Sequence, residues 1–229
     1  MSISVIIPVL NEEQRIGPCL DRLLAHPERD SLEIVVVDGG SSDATLQEVG
    51  RRGLRPISSD PGRGRQQHCG AEAASGNIFL FLHCDTFLPN SFFEDICLIL
   101  QKKNIAAGAF RLNINECGIG FRLLEAGVQL RSSLLQLPYG DQALFMRRET
   151  YFLAKGFPRQ AIMEDLALLS RLKKLGGIAL TRSHVTTSAR RWQQHGLLKT
   201  TLINQLMLIG RAIGISPQQL ARFYYAKRE

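Results

Sequence analysis

The chain has 229 residues, 45% of them hydrophobic, enough for one ordinary core with an appendage. Its five cysteines (Cys19, Cys69, Cys84, Cys97 and Cys117) are odd in number and lack CxxC spacing, which argues against a disulfide framework or structural zinc and for a cytoplasmic setting with free thiols. The formal charge of +7 is uneven: beyond position 180, Arg182, Arg190, Arg191, Lys199, Arg211, Arg222, Lys227 and Arg228 are opposed only by Glu229, yet with 7% aromatics and no recognisable module no nucleic-acid partner is expected. The basic end suits a solvated surface, a pyrophosphate or an anionic membrane face. The opening MSISVIIPVLNEE has no basic region before its apolar run and reads poorly as a signal peptide. No apolar stretch approaches the roughly 18 residues of a membrane span.

Ser2 to Leu10 is predicted as a first buried strand, with Pro8 near its end. Asn11 is placed as the cap of a helix whose first turn holds Glu12 and Glu13 and whose Ile16, Leu20, Leu23 and Leu24 follow at helical spacing. Glu33 to Val37 is a second strand, followed by Asp38-Gly39-Gly40-Ser41-Ser42-Asp43 and a helix from about Ala44 to Arg52. Asp38 can accept hydrogen bonds from a ribose hydroxyl or a base N–H, with glycines that let a ligand approach the backbone. Equally, it can belong to a tight turn capped by Ser42 or Asp43. DGGSSD is not the GxGxxG fingerprint, which argues against a classical NAD fold.

Arg55 to Ser58 is a short third strand, and the loop Asp60-Pro61-Gly62-Arg63-Gly64-Arg65 leads into a helix through Ala74. Arg63, Arg65 and Gln66 at a helix start offer either an anion site or an exposed loop. Asn77 to Leu82 is a strand buried on both faces, and it stops at His83-Cys84-Asp85. A carboxylate and an imidazole there suit a divalent cation held against phosphate, or else a capped turn and a core histidine. The alternation of strand and helix predicts a parallel, doubly wound sheet with Asp38 and Asp85 on one edge.

The second half is less regular. Helices are predicted over Ser91 to Lys102 and Gly118 to Leu135, and strands over Ala106 to Asn115, Tyr139 to Arg147 and Ile178 to Thr181. Met163-Glu164-Asp165 opens an amphipathic helix carrying Leu166, Leu169, Leu172 and Leu175, ended by Gly176-Gly177. Its two carboxylates suit the helix dipole, or one of them is a general base; adjacent helical positions diverge by about 100°, so only one can face a site. Arg190-Arg191-Trp192 is either a surface patch or a pair of cations for a pyrophosphate beside an indole that lines a pocket. Leu198, Leu202, Leu206, Ile209 and Ile213 recur at helical spacing, for core packing or for lying on a membrane surface.

Taken in order, SVIIPVLNEE, EIVVVDGGSSDAT, GRGRQ, FLFLHCDTFLP, YGDQALFMRR, GFPRQAIMEDLALLSRL and SARRW resemble a family 2 glycosyltransferase of the GT-A fold. The nearest flavour is the small bacterial branch linked to arsenosugar biosynthesis. The resemblance implies an α/β, Rossmann-like, mostly parallel sheet flanked by helices over residues 1–192, with a helical basic extension over 193–229, packed on that domain or membrane-facing. It implies an inverting transfer from a nucleotide-diphosphate sugar, UDP-sugar by default and GDP-sugar otherwise, to a hydroxyl on a small metabolite, lipid or glycan. Asp38 and the backbone around Pro8 and Val9 would hold the nucleoside, with Glu12, Arg65 and Gln66 also on the donor side. Asp85, with His83, would hold Mg or Mn on the donor pyrophosphate, and Arg191 and Trp192 would lie near it. Asp165 would be the base, with Glu164 orienting it, and Gly140, Asp141 and Gln142 would face the acceptor.

The chain departs from the pattern at three places. His83 stands where many relatives have the first Asp of DxD, and a histidine ligand suits Mn better than Mg. His68 stands in place of an expected Asn, and Ala143 in place of an expected Gly. Two other classes are weighed. A sugar-phosphate nucleotidyltransferase needs a GxGTR-like phosphate loop where this chain reads PVLNEE. A non-catalytic nucleotide-sugar binding module is favoured by the altered DxD and opposed by the intact Glu164-Asp165 pair. The expected location is cytoplasmic, with peripheral contact at the inner membrane face as the variant that the basic tail allows.

Overall fold

The computed structural model describes residues 1–226, apart from the side chains of Arg191, His195, Ala212, Tyr225 and Ala226. Its first half alternates as expected: β1 (Ile3–Val9), α1 (Glu13–Leu24), β2 (Leu32–Asp38), α2 (Thr45–Gly50), β3 (Ile57–Ser58), α3 (Arg63–Ala73) and β4 (Ile78–Phe81). Then come β5 (Thr86–Phe87), α4 (Phe92–Leu100), β6 (Ile105–Ile114), α5 (Ile119–Leu134), β7 (Phe145–Arg147), α6 (Arg148–Leu153), α7 (Glu164–Leu172) and β8 (Gly177–Thr187). Three helices follow: α8 (Arg190–His195), α9 (Leu197–Ala212) and α10 (Pro217–Ala226).

The sheet order is β3-β2-β1-β4-β7-β6-β8-β5. Strands β3, β2, β1 and β4 are parallel, and β6 is parallel to β8. β7 runs antiparallel to both β4 and β6, and β5 antiparallel to β8. Alternation along each strand feeds two cores, one on either face. Ile3, Val5, Ile7 and Val9 of β1 join Ile78, Leu80 and Leu82 under α1 and α4. Ile6, Val37, Phe79 and Phe81 pack with Ala71, Tyr151, Leu168, Leu169 and Leu172 on the other side.

This topology builds one functional edge. Val9 pairs with Asp38 and Ile6 with Phe81, so the segment Leu82–Asp85 runs on beside the ends of β1 and β2. Because β7 is antiparallel, the chain entering it, with a 3-10 turn at Gly140–Gln142, arrives at that same edge. The Ser188 N–H then donates to the Asp85 carbonyl at 3.2 Å, bringing the end of β8 alongside.

Four local expectations are corrected. Asn11 is not a cap: it adopts left-handed backbone (φ 54°), which Asn tolerates, and Glu12 is the N-cap of α1. Tyr139 to Arg147 is strand only from Phe145, because the 3-10 turn and a left-handed Ala143 (φ 48°) occupy its first half. β8 reaches Thr187 rather than Thr181, since β6 supplies backbone partners as far as Ile114 and only the alternate Val185 needs to be apolar. The buried stripe of α7 is Leu168, Leu169 and Leu172, and Leu175 lies beyond the helix end, exposed.

Candidate active site

The loops after β1 and β2 are stitched together by side chains that compensate for lost backbone partners. The Asn11 N–H donates to Ser41 Oγ (2.9 Å), and Asn11 Oδ1 accepts from the Ser42 N–H (2.9 Å). The Glu12 N–H donates to Thr45 Oγ1 at 2.8 Å. Asp38 is buried and holds its own loop: Oδ2 accepts from the Gly40 and Ser41 N–H groups at 2.9 and 3.0 Å, and Oδ1 from Ser41 Oγ at 2.5 Å. The Ser41 N–H also reaches Oδ1 at 3.2 Å, so both carboxylate oxygens are engaged by the loop that Asp38 holds.

Behind this edge, Gln66 donates from Nε2 to the carbonyls of Val9 (2.8 Å) and Val37 (2.9 Å). It is a buried clamp on the ends of β1 and β2. Arg65 turns outward to Asp60 (2.7 Å). Arg63, with its side chain 54% exposed, reaches toward α7, its Nη1 3.9 Å from Glu164 Oε1. What brings α3 and α7 together is Gly64, where a Cβ would stand 2.9 Å from the Glu164 Cβ. Desolvation opposes the charge on Arg63, but Glu164, Asp165, Asp141 and Asp85 together hold it more firmly protonated than usual.

Asp165 faces this cation. Its Oδ2 accepts from the Gly140 N–H at 3.0 Å, while its Oδ1 is closed off from solvent without a partner. Desolvation, then the neighbouring Glu164, pushes the Asp165 carboxyl up to about 7, against the pull of Arg63 and the Gly140 N–H. His83 also presents a solvent-shielded Nε2 without a partner. Desolvation and the Arg63 charge lower its pKa to about 3, so the imidazole is neutral with a free lone pair. Desolvation, then Glu12, raises the Asp85 carboxyl, and Arg190 and Arg15 oppose this. Glu12 bridges the two arginines, with Arg15 at 2.7 Å and Arg190 at 3.9 Å.

The edge therefore gathers Glu12, Asp38, His83, Asp85, Gly140, Asp141, Glu164 and Asp165, with the backbone of Pro8 and Val9 beside Asp38. Gln142 lies inside the protein. It takes hydrogen bonds from Ser132 Oγ (2.8 Å) and the Tyr139 N–H (3.2 Å), and it donates to the Phe110 carbonyl (2.9 Å), so it shapes the 3-10 turn. Trp192 packs into the core under α1 and α4, its indole N–H shielded and unpartnered. The side chain of Arg191 lies outside the described residues, and Arg190 is the tail cation that meets Glu12. Arg15, Arg63 and Arg190 lie beside the carboxylates of this edge in addition to the expected residues, and Arg65 pairs with Asp60. Among the described residues no three His, Cys, Asp or Glu side chains converge on a metal position.

Gly140 controls the spacing of the central pair. A Cβ there would stand 2.9 Å from Asp165 Oδ2 and 3.1 Å from His83 Nε2. Gly140→Ala is expected to wedge these groups apart, lowering stability by about 1–3 kcal/mol and cutting turnover by roughly tenfold or more. Thermal unfolding and a turnover assay check this, and an alanine variant matching wild type in both would show that the spacing has no role.

The sequence from residue 4 to 155 matches the model of Glycosyl transferase family 2. The chain belongs to that family. The family's relatives include a dodecaprenyl-phosphate galacturonate synthase of Rhizobium johnstonii, 32% identical over 37% of this chain and 28% of its own length. A glucosyl-3-phosphoglycerate synthase of Mycobacterium tuberculosis is 33% identical over 40% of this chain and 31% of its own. The chain thus aligns with less than a third of either protein. Among solved structures, a mannosyltransferase of Pyrobaculum calidifontis in complex with GDP-Man and Mn2+ superposes with a TM-score of 0.67 at 20% identity. It covers 80% of this chain and 56% of that one. The Mycobacterium tuberculosis synthase with Mn2+, UDP-Glc and phosphoglyceric acid gives 0.59 at 24% identity, over 81% and 70%. The fold is that of the GT-A glycosyltransferases.

Proposed function

We propose that this family 2 member transfers a sugar, with inversion, from a nucleoside-diphosphate sugar to an acceptor hydroxyl. The observation that carries the reading is Asp165: a carboxylate fixed by one N–H, with a second oxygen unpartnered and a pKa near neutrality. Such a group can take a proton from a hydroxyl placed within hydrogen-bond reach. Glu164 and Arg63 set its charge balance, and the Gly140 N–H orients it. Asp38 and the backbone at Pro8 and Val9 bind the nucleoside. Arg15 and Arg190 flank the position where the diphosphate departs, and cations there offset its growing negative charge.

The residues present fit a divalent cation brought in with the donor. Asp85 offers oxygen and lies in a position where desolvation and Glu12 leave its charge under-compensated, and His83 offers a neutral nitrogen. Such an ion supplies Lewis-acid stabilisation of the leaving diphosphate. Mn2+ in the two solved neighbours supports this choice. UDP-sugar is the preferred donor, with GDP-sugar the alternative that the Pyrobaculum calidifontis neighbour represents.

Thermal-shift measurement with UDP, GDP and their sugars, with and without Mn2+ or Mg2+, tests the reading. One nucleotide is expected to raise the melting temperature in a metal-dependent way, as a native-state ligand must; at a hundredfold excess over Kd the gain is about 2.7 kcal/mol. Folded protein that responds to no nucleotide would remove the proposal.

A further inference from the structure

We propose that α5 and α9 form a docking face for an anionic lipid bilayer. Along α9 and its C-cap the positions Leu198, Leu202, Leu206, Ile209 and Ile213 repeat at intervals of three and four and form one stripe. The stripe is turned to solvent: Leu198 is 85% exposed, Leu202 61% and Ile213 72%. α5 carries a second such stripe, with Ile119 at 82%, Leu123 at 69% and Leu134 at 71% exposure. The two helices touch, for a Cβ on Gly120 would stand 2.5 Å from a methyl of Leu197. Two adjacent helices with outward leucine stripes exceed the scattered apolar exposure normal for a protein surface.

Charge selects the occupant. Between Arg190 and Ala226 there is no acidic residue, while Lys199, Arg211 and Arg222 are exposed on α9 and α10. A second copy related by a two-fold axis would bring two basic patches together. An anionic bilayer instead accepts the leucines among its acyl chains and pairs the cations with headgroups. The face is also tied to the site. Ser132 on α5 donates to Gln142 Oε1, and the Arg131 guanidinium stacks 3.6 Å above the Tyr139 ring. Both partners belong to the segment that ends in the turn holding Asp165. The buried face of α5 thus packs on the segment beside Asp165 while its leucine face stays outside.

Flotation of the full chain with vesicles tests the docking. Vesicles of mixed phosphatidylcholine and phosphatidylglycerol at low salt are expected to bind about tenfold or more tightly than pure phosphatidylcholine. The double substitution Leu202→Ser with Ile209→Ser is expected to weaken that binding by about tenfold or more. Both side chains are exposed, so folding is retained, and the nucleotide-induced thermal shift serves as the control. Three results overturn the proposal: no binding to anionic vesicles, undiminished binding by the serine variant, or a dimer in solution that the same substitutions dissociate. Vesicle binding without any nucleotide response would leave this inference standing and remove the transferase reading, and the reverse pattern would remove this inference alone.

Discussion

Asp165→Asn is expected to cripple transfer while making the protein more stable at pH 8. An amide cannot take the acceptor proton, so turnover should fall by about 10²–10⁴-fold. Stability moves the other way because the folded-state pKa of Asp165, about 7, lies above its ordinary value of 3.8. The folded protein therefore binds this proton more tightly than the unfolded chain does. The stability that this confers is complete below pH 4 and is lost as pH rises through 7, above which the shielded charge costs in full. Removing the charge should recover roughly 2–4 kcal/mol at pH 8, or about 5–10 °C in melting temperature for a chain of this size. The advantage should vanish near pH 4, where wild-type Asp165 is protonated in both states. Wild-type turnover should in turn rise with pH toward a plateau above 7. Melting curves at the two pH values, with a turnover profile, decide the matter; an Asn variant that is less stable at pH 8 would show that the Gly140 contact outweighs the charge.

Asp85→Asn is expected to remove the metal dependence of donor binding and to lower turnover by about 10²–10³-fold. Asn keeps the size of the side chain and loses the charge that attracts a hard cation. Desolvation and Glu12 already disfavour that charge in the folded protein, so the melting temperature should hold or rise. His83→Ala, which leaves the Asp85 carboxylate in place, should give a smaller loss and a rise in the Mn2+ concentration needed. The check is a titration of Mn2+ against donor binding in each variant. An Asp85→Asn protein with wild-type metal dependence would move the cation elsewhere on the edge.

The placement of residues at the edge was legible from residue order because of how parallel sheets are built. The apolar runs before Asp38 and His83 each mark a strand buried on both faces, and parallel strands deliver their carboxyl ends together. Asp38 and Asp85 come to the same edge of the sheet without any further information, and the order of the motifs carries the family. Composition and spacing also located the amphipathic helix that Glu164 and Asp165 open.

Which side chain meets which depended on packing. Arg63 and Arg65 lie about 200° apart around a helix, and only the approach of α7 against Gly64 decides that Arg63 meets the carboxylates. Gln66 and Gln142 look like surface amides, yet both are buried, because carbonyls at the ends of β1 and β2 and at Phe110 need donors. The antiparallel entry of β7 brings Gly140 to Asp165, a pairing between residues 25 apart that no local pattern announces. The leucines of α9 carry the same spacing whether they face a core or a membrane. Their side was decided by the helix packing on α5 through Leu197, which leaves the stripe outside. Periodicity specifies that a helix has an apolar face, and only the contacts of the folded chain determine what that face meets.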